Sequence, residues 1–173
     1  MEKLTTKQRG DAAEHYVIAM LGFNGVPASK MPDNWPGYDL VAQLPGDQPP
    51  SRISVKFCTY SDKPGSYVGY EPKDHFDFIA LVLKYPDRSR TWILPRTIAD
   101  TTALNPNGSK SGKFTKREWQ IKAIEKRFPQ YEDNFALRVA PALACDEEPR
   151  NYESYTTYGG STTSNAGNAN GVN

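Results

Sequence analysis

Apolar residues recur along the chain with two periods, one near 3.6 residues and one of two residues, and these predict helices and strands in turn. Near the N-terminus, four apolar residues lie at the spacing of a helical stripe: Ala13, Tyr16, Val17 and Met20. Thr5 and Gln8 have the spacing of a capping box, and Gly22 can end a helix. The sequence therefore predicts a first helix over about residues 6–21.

Three later segments have the patterns of strands. Residues 37–44 (GYDLVAQL) and 52–58 (RISVKFC) alternate between apolar and polar positions, which predicts a hairpin across the turn cluster PGDQPP. Residues 76–83 (FDFIALVL) are almost continuously apolar, which is typical of a strand buried on both faces. The TWIL segment, residues 91–94, predicts a further short strand that ends at Pro95.

The pattern after residue 110 predicts a second helix over residues 115–127. Thr115 and Glu118 have capping-box spacing, and Ile121, Ile124 and Phe128 supply an apolar stripe. Residues 134–140 (NFALRVA) predict a last short strand or helix. This order of elements predicts an α/β (α+β) fold in which helices flank a mixed central sheet.

Composition limits the class of protein. The chain has 173 residues, 38% of them hydrophobic, which suits one domain with a core. No apolar run approaches the roughly 18 residues of a membrane helix, and the N-terminus lacks a secretory signal. The two cysteines, Cys58 and Cys145, are too few for a disulfide framework. We therefore expect an intracellular, cytoplasmic protein. Residues 151–173 are rich in Gly, Ser, Thr and Asn, which predicts a flexible low-complexity tail after a domain of residues 1–150.

Charge is unevenly distributed. The net charge of +1 excludes a uniformly basic protein that coats nucleic acid. Residues 107–128, however, hold seven basic and two acidic residues with Phe114 and Trp119 between them. Taken alone, such a segment suits contact with a phosphate backbone and a solvated helix face equally well. The predicted contact residues are Lys110, Lys113, Lys116 and Arg117, with Lys63 in a second basic loop over residues 62–75.

Four polar residues stand out on the predicted helix and strands. Glu14 lies beside the apolar stripe of the first helix, where a carboxylate is costly to bury unless it is paired. Asp39 lies in a predicted strand, although aspartate is depleted from strands. Ser54 and Lys56 are two residues apart and point to one face. Taken singly, each has an ordinary interpretation: a salt-bridge partner, a turn cap, or a solvated strand face.

In combination these residues resemble a known family. The segments KQRGDAAEHYVIAMLGF, PDNWPGYDLVA, RISVKF, HFDFIALVL and TWILPRTIA follow one another over roughly residues 6–100. Their order is similar to that of the PD-(D/E)xK, or restriction-endonuclease-like, nuclease superfamily, and especially of small group I intron-encoded homing endonucleases and their bacterial relatives. The resemblance implies a restriction-endonuclease-like core and an endonuclease that cleaves DNA with Mg²⁺, for which Mn²⁺ can substitute. Because both strands of a duplex must be cut, it also implies a homodimer or homotetramer.

The resemblance also implies roles for individual residues. Asp39 would be the central metal ligand, and the Val55 carbonyl would be a backbone ligand. Glu14 would bind a second metal ion or orient a metal-bound water. Lys56 would orient or deprotonate the attacking water, or stabilise the developing charge. Mg²⁺ suits such a site because it prefers oxygen ligands and keeps several waters.

Ser54 departs from the family pattern, because a Glu, Asp or Gln usually stands two residues before the lysine. Three interpretations remain open. Asp77 or Glu71 replaces the missing carboxylate; Glu14 and Asp39 suffice, with a water held by Ser54; or the site is inactive and the protein only binds nucleic acid. A different class of function is a scaffold or adaptor that docks through its Tyr-rich tail.

Other chemistries are poorly supported by the sequence. SKSGK lacks the full phosphate-binding loop pattern, and no apolar strand precedes it. His15 and His75 are too few and too far apart for a zinc site. No nucleophile-elbow motif supports a Ser/His/Asp triad.

Overall fold

The computed structural model describes residues 4–104 and 116–139. The predictions for Lys110, Lys113 and the tail lie outside these residues. Within them lie three helices and a short 3-10 turn: α1 (Thr6–Phe23), α2 (Arg96–Thr102), α3 (Ile121–Arg127) and the turn Pro129–Tyr131. The same residues hold seven strands: β1 (Ala28–Lys30), β2 (Leu40–Ala42), β3 (Ser51–Thr59), β4 (Tyr67–Tyr70), β5 (Phe78–Lys84), β6 (Ser89–Pro95) and β7 (Arg117–Gln120).

The first helix begins where the capping box predicts. The Thr5 hydroxyl accepts from the Gln8 backbone N–H at 3.2 Å, and the Gln8 side chain accepts from the Thr5 N–H at 2.9 Å. The helix continues through Gly22 to Phe23, so the prediction that Gly22 ends it is wrong. Asn24 ends it instead, because its side-chain amide donates to the Met20 carbonyl at 2.8 Å.

Five strands form the central sheet in the order β1-β2-β3-β5-β6. The pairs β1–β2, β2–β3 and β5–β6 are antiparallel, whereas β3 and β5 are parallel from Ile53↔Phe78 to Thr59↔Lys84. The predicted hairpin of β2 and β3 is confirmed, although β2 has only three residues. The mixed sheet with its helices confirms the predicted α+β class.

Each face of the sheet carries its own apolar core. On one face α1 packs, through Ala13, Val17 and Leu21, against residues of β2, β3, β5 and β6. On the other face β4, α2, β7 and α3 cover β5 and β6. Every β5 residue before Lys84 is buried, which confirms the predicted strand with two buried faces. Ser54 is 1% exposed, so a solvated face is the wrong interpretation of its position.

The predicted helix over residues 115–127 is wrong in its first half. Residues 117–120 form β7, which pairs with β4, and α3 begins only at Ile121. Trp119 explains the difference, because this side chain is fully buried opposite Val68 and local propensity yields to that burial. The two strands approach so closely at Gly69 that an added Cβ would lie 2.1 Å from the Arg117 carbonyl oxygen.

The end of the described chain also differs from its prediction. Residues 134–139 form turns rather than a strand or helix. The buried Asn134 amide donates to the carbonyls of Ile93 and Arg138, and Leu137 has a φ of 53°. Strands β1 and β4 and helix α2 were not predicted. Within residues 4–104 and 116–139, no helix combines the length and the apolar character needed to cross a membrane.

Candidate active site

Asp39 lies where β2 and β3 diverge. Its backbone N–H donates to the Ile53 carbonyl at 2.9 Å, and beyond this point no β2 residue covers the edge of β3. The Asp39 carboxylate takes that place: Oδ2 accepts from the Val55 N–H at 2.6 Å and from the Ser54 hydroxyl at 3.2 Å. No residue in the described ranges donates to Oδ1. One carboxylate oxygen is thus held by the strand and the other is left for a ligand.

The loop before Asp39 depends on Gly37. This residue has a φ of 90°, in the left-handed region that favours glycine. An added Cβ would also lie 2.8 Å from the backbone nitrogen of His75. A side chain at this position would therefore strain the loop and move Asp39.

Glu14 shares a cleft of about 320 Å³ with Asp39. Its side chain is 16% exposed, and Oε2 lies 3.0 Å from Lys30 Nζ. This oxygen is buried, and among the described residues its contact is the ion pair with Lys30. The structure thus brings two of the predicted carboxylates to one cleft.

Two lysines, Lys30 and Lys7, neutralise the acidic side chains of this cleft, and neither was predicted from the sequence as a site residue. Lys30 Nζ lies 2.6 Å from Asp11 and 3.4 Å from Asp33, in addition to its contact with Glu14. Lys7 Nζ lies 3.0 Å from Asp11 and 2.8 Å from Asp33. Hydrogen bonds from Lys30 and then from Lys7 hold the pKa of Asp11 below its usual value, and the bond to Asp11 raises the pKa of Lys30.

A sequence signal existed for one half of this network. Lys7, Asp11 and Glu14 are spaced four and three residues apart, which places them on one face of a helix. The other half could not be found in this way, because β1 was not predicted and Lys30 therefore had no assigned face.

Lys56 lies in an adjoining cleft. That cleft is also lined by Tyr70, Glu71 and Lys116, and Asn34 lines both clefts. Glu71 has a pKa lowered chiefly by its hydrogen bond from Lys73, with smaller contributions from the charges of Lys116 and Lys56. The predicted lysine and the predicted carboxylates therefore border neighbouring spaces.

The two carboxylates that could replace the one missing at Ser54 differ in their surroundings. Both oxygens of Asp77 bind Arg52, from the guanidinium at 2.8 and 3.0 Å and from the backbone N–H at 2.8 Å. Asp77 is therefore committed to holding β3 beside β5. Glu71 pairs only with the exposed Lys73, at 2.8 Å among the described contacts, and borders the cleft of Lys56. Of the two, Glu71 is better placed to contribute to a site.

The predicted DNA-contact residues are placed differently from one another. Lys116 is exposed and lines the cleft of Lys56, and Lys63 is exposed in the loop before β4. Arg117 instead donates to the Asp100 carbonyl at 2.5 Å and lies 3.5 Å from the Asp100 carboxylate. Its guanidinium therefore helps to join β7 to α2.

The donor atoms of the Glu14–Asp39 cleft fit one hydrated Mg²⁺. Mg²⁺ binds carboxylate oxygens and keeps several waters, so one or two carboxylates are enough. Among the residues that the structure describes, none donates to Asp39 Oδ1, and the bonds from Ser54 and the Val55 N–H to Oδ2 fix the orientation of the carboxylate. Within residues 4–104 and 116–139, however, no three His, Cys, Asp or Glu side chains converge as a ready metal cage.

Comparison with known proteins identifies a structural likeness and no sequence family. No protein-family model matches the chain, and no curated protein matches it. Among solved structures it is similar to a bacterial homing endonuclease, I-Ssp6803I, with a TM-score of 0.53 and 19% sequence identity. The match covers 79% of this chain and 94% of that one. The chain therefore shares its fold with a bacterial homing endonuclease.

Proposed function

We propose that the protein is a Mg²⁺-dependent endonuclease that hydrolyses phosphodiester bonds in DNA, with Mn²⁺ as a substitute. The observation that carries this proposal is the Asp39 carboxylate, fixed where β2 and β3 diverge, with one oxygen left for a ligand. The fold shared with a homing endonuclease supports the choice of DNA as the substrate. A PD-(D/E)xK active site is part of this proposal.

Each residue of the candidate site has a role in the proposed reaction. Bound Mg²⁺ would activate water and stabilise charge on the phosphate. Asp39 holds the ion, while Ser54 and the Val55 N–H hold Asp39. Lys56, from the adjoining cleft, orients the attacking water or stabilises the developing charge. The predicted Val55 carbonyl ligand belongs to the same proposal.

Exposed lysines would hold the duplex beside the site. Lys116 and Lys63 are exposed and would contact phosphates, and such contacts give affinity without sequence specificity. Cleavage of both strands needs two active sites, so we propose a homodimer or homotetramer acting on a partly palindromic target.

A plasmid-cleavage assay tests this function. Purified protein is incubated with supercoiled plasmid carrying a library of genomic fragments from the source organism, with Mg²⁺, Mn²⁺ or EDTA. We expect metal-dependent nicking that is lost in Asp39→Asn and Lys56→Ala and retained in Lys73→Ala, a matched change at an exposed lysine of the same cleft. Equal nicking by wild type and Asp39→Asn would refute the proposed site.

A non-catalytic nucleic-acid-binding protein is the second candidate, and Ser54 is the observation that favours it. In that case DNA binding would persist in wild type, Asp39→Asn and Lys56→Ala, with no cleavage by any of them. A scaffold or adaptor, the third candidate, predicts the absence of salt-sensitive DNA binding.

A further inference from the structure

Lys30 is the cation at the centre of the acidic side of the cleft. Its ammonium group has three donors and lies 2.6, 3.0 and 3.4 Å from the carboxylates of Asp11, Glu14 and Asp33. The side chain is only 24% exposed. Lys30 is therefore held by three partners from two directions, α1 and the loop after β1.

Lys7 offers an internal comparison. It contacts Asp11 at 3.0 Å and Asp33 at 2.8 Å, but within residues 4–104 and 116–139 no contact joins it to Glu14. It is also far more exposed, at 66% against 24% for Lys30. Among the described lysines, Lys30 alone is paired with Glu14.

A divalent ion and Lys30 cannot both occupy the inner side of Glu14. Mg²⁺ or Mn²⁺ binds a carboxylate oxygen at about 2.1 Å. The buried Oε2 of Glu14 already has the Lys30 ammonium group 3.0 Å away, so a divalent ion bound to this carboxylate would lie close to a fixed positive charge. Two cations around one partly buried oxygen repel each other, and the low exposure of the Lys30 and Glu14 side chains, 24% and 16%, weakens the screening by solvent. Moving Lys30 away would also cost its pair with Asp11.

We infer that Lys30 is the fixed counter-cation of Glu14 and withholds this carboxylate from divalent ions, so that the cleft takes one ion, at Asp39. Lys30 thus occupies the place of a second metal ion and makes Glu14 a positioning residue rather than a ligand. The inference rests on the proposed function and deepens it, because it assigns the site a single-metal chemistry and a permanent positive charge.

Mn²⁺ binding to the full-length protein tests this inference without any need for the DNA target. Calorimetry gives the affinity, and paramagnetic resonance of free Mn²⁺ gives the number of ions bound. We expect one ion in wild type and none in Asp39→Asn. Glu14→Gln keeps the side-chain shape and should change the affinity by less than about threefold, because no described contact joins Glu14 to Asp39. Loss of a ligand, or of a group that orients a ligand, costs about tenfold or more.

Replacing Lys30, the competing cation, should change the Mn²⁺ affinity in the opposite direction. Lys30→Met should bind Mn²⁺ about tenfold more tightly or gain a second ion, because Glu14 and Asp11 become available. Lys7→Met is the matched control, since it removes one ammonium group from the same cluster without exposing Glu14, and should not gain a second ion. Melting temperatures show whether each variant is folded. If Lys30→Met does not fold, the Mn²⁺ affinity of Glu14→Gln alone tests the inference.

The outcomes separate this inference from the proposed function. A tenfold loss in Glu14→Gln, or wild-type binding through Asp39 with no gain in Lys30→Met, would overturn the role of Lys30 and leave the nuclease proposal standing. If Lys7→Met gains as much Mn²⁺ affinity as Lys30→Met, the gain depends only on the net charge of the cleft. That result would also overturn the role of Lys30. If neither wild type nor Lys30→Met binds Mn²⁺, both proposals fail.

Discussion

The backbone N–H of Val55 donates a 2.6 Å hydrogen bond to Asp39 Oδ2, across the gap where β2 leaves β3. A backbone N–H at the edge of β3, which would otherwise need a neighbouring strand as its hydrogen-bond partner, thereby donates to a side chain. Because the Ser54 hydroxyl donates to the same oxygen at 3.2 Å, the carboxylate is held from two adjacent residues of β3.

Ser54→Ala should loosen this carboxylate. We expect metal affinity and cleavage to fall by about tenfold, because groups that orient a metal ligand are typically worth that much. Mn²⁺ calorimetry and the plasmid assay measure the two effects. Ser51→Ala, at another buried serine of β3, is the control and should leave both unchanged. An unaltered Ser54→Ala would mean that the Val55 N–H alone positions Asp39.

Lys116 and Arg117 are neighbours in sequence but should respond differently to substitution. Lys116→Ala should weaken DNA binding and lower the salt slope by about one, because it removes one phosphate contact. Arg117→Ala should instead lower the melting temperature, because its guanidinium holds Asp100. Fluorescence anisotropy of labelled duplex over a range of salt, with thermal unfolding, distinguishes the two. A salt slope reduced only in Arg117→Ala would contradict this assignment.

Trp35 should report DNA binding at the cleft. It is 47% exposed and lines the cleft with Asp39, whereas Trp92 and Trp119 are fully buried. Its backbone N–H donates to the Pro32 carbonyl at 3.1 Å, and its ring meets Tyr38 edge to face at 6.3 Å. We expect duplex DNA to quench tryptophan emission, since base contact changes the environment of an exposed ring.

Trp35→Phe provides the control for this fluorescence signal. It should retain DNA binding by anisotropy while losing the emission change. Quenching that persists in Trp35→Phe would locate the contact elsewhere.

Stability should depend on Asp77 at acidic pH. Hydrogen bonds from Arg52 hold the pKa of Asp77 below the usual value of an aspartate, about 3.8. The pair therefore stabilises the fold above that pH, and this stabilisation is lost as the pH falls through the depressed pKa. Both side chains are partly exposed, so solvent screening limits the effect of Asp77→Asn to about 1 kcal/mol of unfolding free energy at pH 7.

Urea unfolding at pH 7, 5 and 3 measures this contribution. The difference between wild type and Asp77→Asn should narrow towards pH 3, as wild-type Asp77 begins to protonate. Asp62→Asn, at an exposed loop position, serves as the control. A difference that is constant with pH would show that charge on Asp77 is not what stabilises the pair.

Cys58 should be unreactive in the folded protein. Burial raises the pKa of its thiol to about 12, so almost no thiolate is present near pH 8. In a Cys145→Ala background, iodoacetamide should label Cys58 only after unfolding in urea, as judged by mass spectrometry. Rapid labelling of the folded protein would place Cys58 in a more open environment.

The sequence predicted those parts of the fold in which pattern and burial agree. The continuous apolar run of β5 reflects packing on both faces of the strand, and the apolar stripe of α1 reflects packing on one face of the helix. The prediction of one helix over residues 115–127 was wrong because its apolar stripe, Ile121, Ile124 and Phe128, also suits a short helix that follows a strand. Only the contact of Trp119 with Val68, about fifty positions earlier in the chain, decides between them.

The residues of the candidate site also divide into those that the sequence pattern indicates and those that only the folded chain brings together. Asp39 stood out as a candidate because an acidic residue falls within a predicted strand, although in the structure β2 begins only at Leu40 and Asp39 precedes it. Lys30 could not, because its importance arises from three carboxylates that the chain brings together from α1 and a loop. Ser54 was identified as a departure from the family pattern, but its burial and its bond to Asp39 depend on the divergence of β2 from β3.

The parallel pairing of β3 with β5 has a consequence for how the protein folds. A hairpin can form locally, but parallel strands need a crossover, and here that crossover contains β4. β3 therefore remains open on one side until a non-local contact forms, which is a slow kind of step. Since β3 supplies Ser54, Val55 and Lys56, the strand that carries these residues is fixed in the sheet only after this late closure. If the protein has the proposed function, a partly folded chain should therefore be unable to cut DNA, even though Glu14, Asp39, Ser54, Val55 and Lys56 all precede β5 in the sequence.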